Sequence, residues 1–181
     1  MKKLTLATAI FAALTGSAFA ADEVSKPTQG GGGTINFKGQ IVDSPCTLSA
    51  ESVDQNVSLG AISITALNAG TSTQITPFTI KLQDCEADTK KKASITFRGD
   101  LTNGSDKYLA LQNTKAKGAA IKLTTASGND ITLNEAVSLG DITQSEHEMK
   151  FGAQVVKTAT GANAVVAGDF TATAAFTMTY Q

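Results

Sequence analysis

The chain has 181 residues, of which 41% are hydrophobic, 6% aromatic and 17% charged, and 15 Lys and Arg face 16 Asp and Glu. The length suits one domain, or one domain with a processed segment, and the near-neutral charge gives no reason to expect nucleic acid or a membrane surface as a partner. One histidine and two cysteines cannot complete a structural zinc site with four cysteine or histidine ligands, because they supply at most three soft ligands.

The first twenty residues have the pattern of a secretory signal. Lys2 and Lys3 precede an apolar run over residues 4–14, and Ala18-Phe19-Ala20 follows. A membrane anchor is the alternative, but this run is too short for a hydrocarbon core of about 30 Å. We therefore expect cleavage after Ala20 and export, with no later insertion into a membrane. Removal of two lysines and no acid changes the net charge from −1 to −3.

Export bears on the two cysteines, Cys46 and Cys85. In an oxidising compartment an isolated pair most simply forms one disulfide. A redox-active pair is the alternative, but its usual C-x-x-C spacing is absent. Closing a loop of about 40 residues contributes roughly 4 kcal/mol to stability on the chain-entropy treatment of disulfides.

Residues 21–33 end in four consecutive glycines and cannot build a core, so we predict a flexible segment there. Residues 34–43 then alternate strictly, which predicts a strand. One face of this strand consists of Ile35, Phe37, Gly39 and Ile41, and the other is polar. Ser44-Pro45 ends it just before Cys46.

Short alternating segments continue through the rest of the chain and predict further strands. They lie near residues 53–60, 78–83, 95–97, 108–111, 121–123, 131–133 and 151–155. Residues 127–130 predict a hairpin turn, and residues 61–69 could form a turn of helix. Many short strands with turns between them indicate an all-β sandwich of immunoglobulin-like size.

The last predicted strand is the longest and runs almost to the C-terminus. One face holds Phe170, Ala172, Ala174, Phe176, Met178 and Tyr180, and the other is mostly threonine. A sandwich that ends on such a strand leaves an open edge beside it, and exposed edges pair with other chains unless they are blocked. An extended segment with alternate side chains in pockets is the usual way to fill an edge of this kind.

The sequence contains no recognisable catalytic constellation. His147 lies between two glutamates in a polar stretch, which is typical of a surface histidine, and no G-x-S-x-G segment is present. Asp141 and Glu146 could be paired carboxylates, but surface acids are common. We therefore expect neither enzymatic activity nor a cofactor or metal site, and a secreted enzyme or inhibitor is the weakest hypothesis.

Taken together, these residues resemble the chaperone–usher fimbrial subunits, and specifically the major shaft pilins of the type 1 and P pilus kind. The resemblance covers essentially the whole mature chain, although residues 100–150 match less distinctively. The resemblance rests on the following residues, in chain order: 33–42, Pro45-Cys46, Val53-Asp54-Gln55, Leu59-Gly60, Leu82-Gln83-Asp84-Cys85, Gly168 as the fourteenth residue from the end, and the penultimate Tyr180.

The resemblance implies an incomplete immunoglobulin-like sandwich that lacks its last strand and leaves a hydrophobic groove beside the final one. A periplasmic chaperone first lends a strand to such a groove. At the outer-membrane usher, the extension of the next identical subunit replaces the chaperone strand. On this sequence the implied organisation is a signal peptide over 1–20, an extension with a donor strand over 21–43 and a sandwich over 44–181.

The resemblance also assigns residues. The donor strand would be residues 34–43, with Ile35, Phe37, Gly39 and Ile41 entering the groove and Gly39 marking a position where no side chain fits. The final strand would line the groove, or the core beneath it, and contact the chaperone. This set is Gly168, Phe170, Ala172, Ala174, Phe176, Met178, Tyr180 and Gln181, whose terminal carboxylate would dock on basic chaperone residues.

The implied function is a structural subunit of an extracellular fimbria on the bacterial surface, which forms the pilus shaft and supports adhesion. A minor adaptor of the same fibre is the alternative, because it shares the fold. A tip adhesin of this kind carries an additional lectin domain, for which the mature length leaves no room.

Overall fold

The computed structural model describes residues 30–70, 73–86, 91–102, 105–112, 115–161 and 165–181. The predicted signal peptide and residues 21–29 lie outside these ranges. The chain divides into two units, one ending at Gln40 and one running Ile41–Gln181, and each is described by itself. In the described ranges, no helix combines the length and apolar character needed to cross a bilayer.

Within its described residues, the second unit contains eight strands and two short helices. They are β1 (Thr47–Leu48), α1 (Ala50–Val53), α2 (Ile64–Asn68), β2 (Thr76–Gln83), β3 (Lys91–Gly99), β4 (Tyr108–Ala110), β5 (Ala119–Thr125), β6 (Ala136–Ile142), β7 (His147–Lys157) and β8 (Ala174–Tyr180). One sheet has the order β1-β2-β7-β5-β4 and the other β6-β3-β8. Neighbouring strands are antiparallel throughout, which confirms the predicted all-β class.

The two sheets pack through the alternate apolar residues of their inner faces. Ile80 of β2 and Ile95 of β3 are fully buried, and burying an aliphatic side chain of this size stabilises a fold by about 1.5–3 kcal/mol. Phe97 of β3 packs edge-on against Phe151 of β7, with ring centroids 5.1 Å apart. The rings of Phe151 and Phe78 lie 5.6 Å apart. The Phe97–Phe151 contact joins the three-stranded sheet to the five-stranded one, and the Phe78–Phe151 contact lies within the latter.

The disulfide expected from the cysteine pair is present, and it joins Cys46 to Cys85. Both residues are buried. Backbone hydrogen bonds hold the same region, because Glu86 donates to the Pro45 carbonyl and Cys85 donates to the Ser145 carbonyl. The bridge therefore fastens the start of the domain to the end of β2.

The predicted strand over residues 53–60 is wrong. This segment follows the four-residue helix α1 and forms no ladder with another strand. Apolar residues do alternate at Val57 and Leu59, but the neighbouring edge of β2 is bonded to the side chains of Ser52 and Gln55 instead. The predicted turn of helix is confirmed as α2, where the Ser63 hydroxyl accepts from the Ala66 N–H.

The final strand is shorter than predicted. β8 covers seven residues, Ala174–Tyr180, and β7 with eleven is longer. Its partner β3 ends at Gly99, opposite Ala174. Residues 170–173 therefore have no ladder, and Thr171 forms only an isolated bridge with Gln112.

The hairpin after β5 is only partly as predicted. Gly128, at φ +83°, makes the turn, and the Ile131 N–H bonds the Leu123 carbonyl. Residues 131–133 then leave the sheet as a buried loop segment. Strand β6 was not predicted, although Val137 and Leu139 give it a weak alternating pattern.

Candidate functional site

The edge strand β8 presents unpaired backbone groups. It lies at the end of the three-stranded sheet and, among the described strands, pairs with β3 alone. Just beyond this pairing, Gln181 and Lys92 exchange two backbone hydrogen bonds at 2.9 Å. Because such bonds alternate along an antiparallel pair, the N–H and C=O groups of alternate β8 residues point away from β3. These residues are Ala174, Phe176, Met178 and Tyr180.

The other sheet edges are short or irregular. Strands β1 and β4 have two and three residues. The pairing of β6 with β3 changes register between Ala93 and Ser94, and Gly140 of β6 has φ +84°. In contrast, β8 has seven residues and contains neither proline nor a charged side chain. Among the described strands, β8 therefore offers the longest regular edge to another strand.

A cavity of about 1370 Å³ lies beside this edge. Residues 53–62 form one wall and residues 165–176 form the other. Its floor is made of core side chains from both sheets, among them Phe78, Ile80, Phe97, Ile121 and Leu123. We call this cavity the groove. The groove thus lies over the core, between an irregular segment and the unpaired edge of β8, and Phe78 in its floor is only partly buried.

The residues predicted for the final strand divide between the groove and the core. The groove is lined by Gly168, Phe170, Ala172, Ala174 and Phe176. Met178 and Tyr180 pack, half-buried, against the core cluster instead. Gln181 is exposed and ends the pairing with β3.

Gly168 fits its position because the backbone of another segment passes close by. A Cβ atom at Gly168 would lie 2.5 Å from the Ala116 nitrogen and 2.8 Å from the Lys115 carbonyl carbon. Since these are backbone atoms, any larger residue would push the two segments apart. The close approach of these two backbone segments therefore fixes the position of the groove wall at residues 165–168.

The predicted donor segment is exposed and forms no ladder within the described residues. Ile35, Phe37 and Ile41 expose 77%, 90% and 102% of their reference surface. A Cβ atom added to Gly39 would meet no atom within 4 Å. A lone strand has no partner for its backbone, and its apolar face adds nothing to stability while exposed. The donor role of these residues stays a prediction.

Tyr180 connects β8 to the segment that precedes the disulfide. Its hydroxyl hydrogen-bonds the Ser44 side chain, and the Ser44 hydroxyl donates to the Cys46 carbonyl at 2.8 Å. Burial raises the pKa of Tyr180 above its ordinary value of 10.0, and the Ser44 bond opposes the rise. The neutral phenol is thus favoured in the folded chain.

This shift can be measured directly, because the chain has two tyrosines and no tryptophan. In Tyr108→Phe, absorbance of tyrosinate should report a pKa for Tyr180 above 10.0, and adding Ser44→Ala should raise it further. The folded chain holds the proton more tightly, so this contribution to stability is complete below pH 10 and is lost as the pH rises through the folded-state pKa. A midpoint at or below 10.0 would contradict the assignment.

Sequence reasoning missed the wall over residues 53–62, because it predicted a strand near residues 53–60. The structure instead places the short helix α1, which follows Ser49 and includes the buried Ser52, at the start of this segment. His147 is the first residue of β7 and is half-buried. Across the described residues, no group of three or more His, Cys, Asp or Glu side chains could hold a metal ion.

Comparisons with known proteins agree on one family. The family described as "Fimbrial protein" matches residues 35–181. The chain is 35% identical to the Fimbria A protein of Serratia marcescens, over 100% of this chain and 99% of that one. It is 34% identical to the type-1 fimbrial protein A chain of Escherichia coli, over the full length of both.

Solved structures give the same result. A chaperone–usher pilus, determined to explain rod uncoiling, is 30% identical and superposes with a TM-score of 0.74 over 86% of this chain and 100% of its own subunit. The P pilus rod subunit PapA is 28% identical, with a TM-score of 0.65 over 76% of this chain and 100% of that one.

Proposed function

Because this chain belongs to the fimbrial protein family, in which it is a structural pilus subunit with an immunoglobulin-like fold, we propose that it polymerises by strand donation. Residues 34–43 of each incoming copy fill the groove of the copy before it. The assembled copies form the shaft of an extracellular fimbria, which they reach by export through the periplasm.

The observation that carries this proposal is the pairing of two incomplete surfaces in one chain. The groove is lined by core and partly buried apolar side chains beside an unpaired β8 edge, and residues 34–43 present an apolar face that is exposed. Each surface has what the other requires. An alternating strand would supply both the backbone partners for β8 and the side chains for the groove.

The expected energy is large enough for a stable junction. Burying Ile35, Phe37 and Ile41 would contribute about 1.5–3 kcal/mol each, or about 5–9 kcal/mol together. Hydrogen bonds along β8 would add to this value. Gly39 carries no side chain, which suits a position of the donated strand where none fits the groove.

The same surfaces define the partners. An unfilled groove would expose core residues in the periplasm, so a chaperone that lends a strand is the expected first partner, followed by an outer-membrane usher and an identical subunit. The Gln181 carboxylate is exposed at the end of β8 and could pair with basic residues of the chaperone. Relatives whose names describe a major fimbrial subunit or major pilin favour the shaft over a minor adaptor.

Gel analysis of sheared fimbriae tests the proposal. Non-covalent junctions of this strength should survive mild detergent, so unheated extracts should give a ladder of multimers. After heating in denaturant the ladder should collapse to one band of the mature chain. A single monomer band in both lanes would exclude strand-linked polymers.

A further inference from the structure

The groove has two sheet edges beside it, and only one of them is open. Strand β2 pairs with β1 at Leu82 and Gln83 alone, so residues 76–81 have no strand neighbour on that side. The edge of β2 faces the wall over residues 53–62, and Phe78 and Ile80 form part of the groove floor. An incoming strand therefore meets two candidate edges, β2 and β8.

The edge of β2 is occupied by side chains. The Lys81 N–H donates to the Ser52 hydroxyl at 2.9 Å, and the Lys81 carbonyl accepts from the Ser49 N–H at 3.0 Å. Since the backbone groups of Lys81 point away from β7, alternation directs those of Thr79 and Pro77 to the same edge. Gln55 then donates its side-chain N–H to the Thr79 carbonyl at 2.8 Å.

Two further features make the edge of β2 less available for pairing with another strand. Ser52 is 2% exposed and its hydroxyl also bonds the Ser49 hydroxyl at 2.8 Å, so it is held in place from two directions. Pro77 has no N–H to offer, and proline on an edge strand prevents pairing. Along the stretch from Pro77 to Lys81, the edge thus has few free groups for a ladder.

From this arrangement we propose that Ser52, Gln55 and Pro77 are positioning residues for strand donation: they close the β2 edge, so that the donated strand pairs with β8 and not with β2. The inference rests on the proposed function. It assigns a specific role to α1 and the residues after it. A regular strand in their place would have paired with the backbone groups of β2 in a ladder, and the wall of the groove would then be missing.

Cysteine pairs in the full-length chain, assembled on cells, test this proposal. Lys38→Cys lies on the polar face of the donor segment and is combined in turn with Ala175→Cys, Thr177→Cys or Thr179→Cys, on the outer face of β8. A separate pair combines Lys38→Cys with Thr79→Cys on β2. Disulfide-linked dimers are then counted on non-reducing gels after heating in denaturant.

In the otherwise unaltered chain we expect dimers with at least one β8 position and none with Thr79→Cys. Gln55→Leu should raise the Thr79→Cys dimers by roughly fivefold over background, the change that one lost hydrogen bond produces. Combining it with Pro77→Thr, which restores an N–H, should raise them further. Gln55→Lys keeps a donor for the Thr79 carbonyl and should behave like the unaltered chain.

The two proposals fail in different ways. If no β8 position gives dimers in the unaltered chain, strand donation to this edge is wrong. If β8 dimers form but Gln55→Leu with Pro77→Thr gives no Thr79→Cys dimers, the role of the blocked edge is wrong. Gln55 is exposed, so its substitution should leave the fold intact, and an unchanged urea midpoint verifies this.

Discussion

Replacing Phe37 with aspartate should stop fibre growth while leaving the subunit folded. Phe37 is 90% exposed in the isolated chain, so its own domain loses no core contact. In the proposed junction the same side chain is buried, and its removal costs about 1.5–3 kcal/mol, which alone weakens the junction about 10- to 150-fold. A carboxylate in an apolar groove adds a further desolvation cost.

The matched control is Asn36→Asp, which introduces the same charge one residue earlier on the polar face. Fimbriae are quantified from sheared cells, and stability is measured by urea unfolding of the purified chain. We expect few or no fimbriae from Phe37→Asp, near-normal amounts from Asn36→Asp, and equal unfolding midpoints. Equal amounts of fimbriae from the two variants would show that Phe37 does not enter the groove.

Loss of the disulfide should produce the largest change in stability. The Cys46–Cys85 bridge spans a sequence separation of 39 residues, for which the chain-entropy treatment gives about 4 kcal/mol. A small domain has a total stability of only about 5–15 kcal/mol. A sandwich with an unfilled groove has fewer contacts with which to absorb this loss.

The double variant Cys46→Ala, Cys85→Ala removes the bridge without leaving a free thiol or a buried hydroxyl. It is compared with the parent in the Phe37→Asp background, so that polymerisation does not contribute to either transition. The urea midpoint should fall by an amount equivalent to about 4 kcal/mol. An unchanged midpoint would mean that the loop is already constrained in the unfolded chain.

Much of this site could be predicted from local patterns. Alternation over residues 34–43 identified an apolar face on a segment behind a glycine tract, and the export signal with two isolated cysteines predicted the disulfide. Alternation over residues 170–180 predicted a terminal strand. These features are local because side chains of a strand alternate with period two, whatever the strand pairs with.

Other features depended on neighbours in space. The alternation of Val57 and Leu59 favoured a strand, but side chains of Ser52 and Gln55 occupy the edge with which it would have paired. Phe170 and Ala172 continue the pattern of β8, yet β3 ends opposite Ala174 and leaves them without a ladder. A ladder requires a partner strand, and no sequence window contains its partner.

The sequence by itself determined the all-β class and the disulfide pair, and it predicted the two apolar faces on which the proposed strand donation depends, because composition and period-two alternation are properties of single segments. Only the tertiary structure decided which edge is open. Whether a backbone group is free depends on atoms distant along the chain. The Ser52 hydroxyl accepts from the Lys81 N–H, the Gln55 side chain donates to the Thr79 carbonyl, and among the described residues no strand lies beside the outer edge of β8.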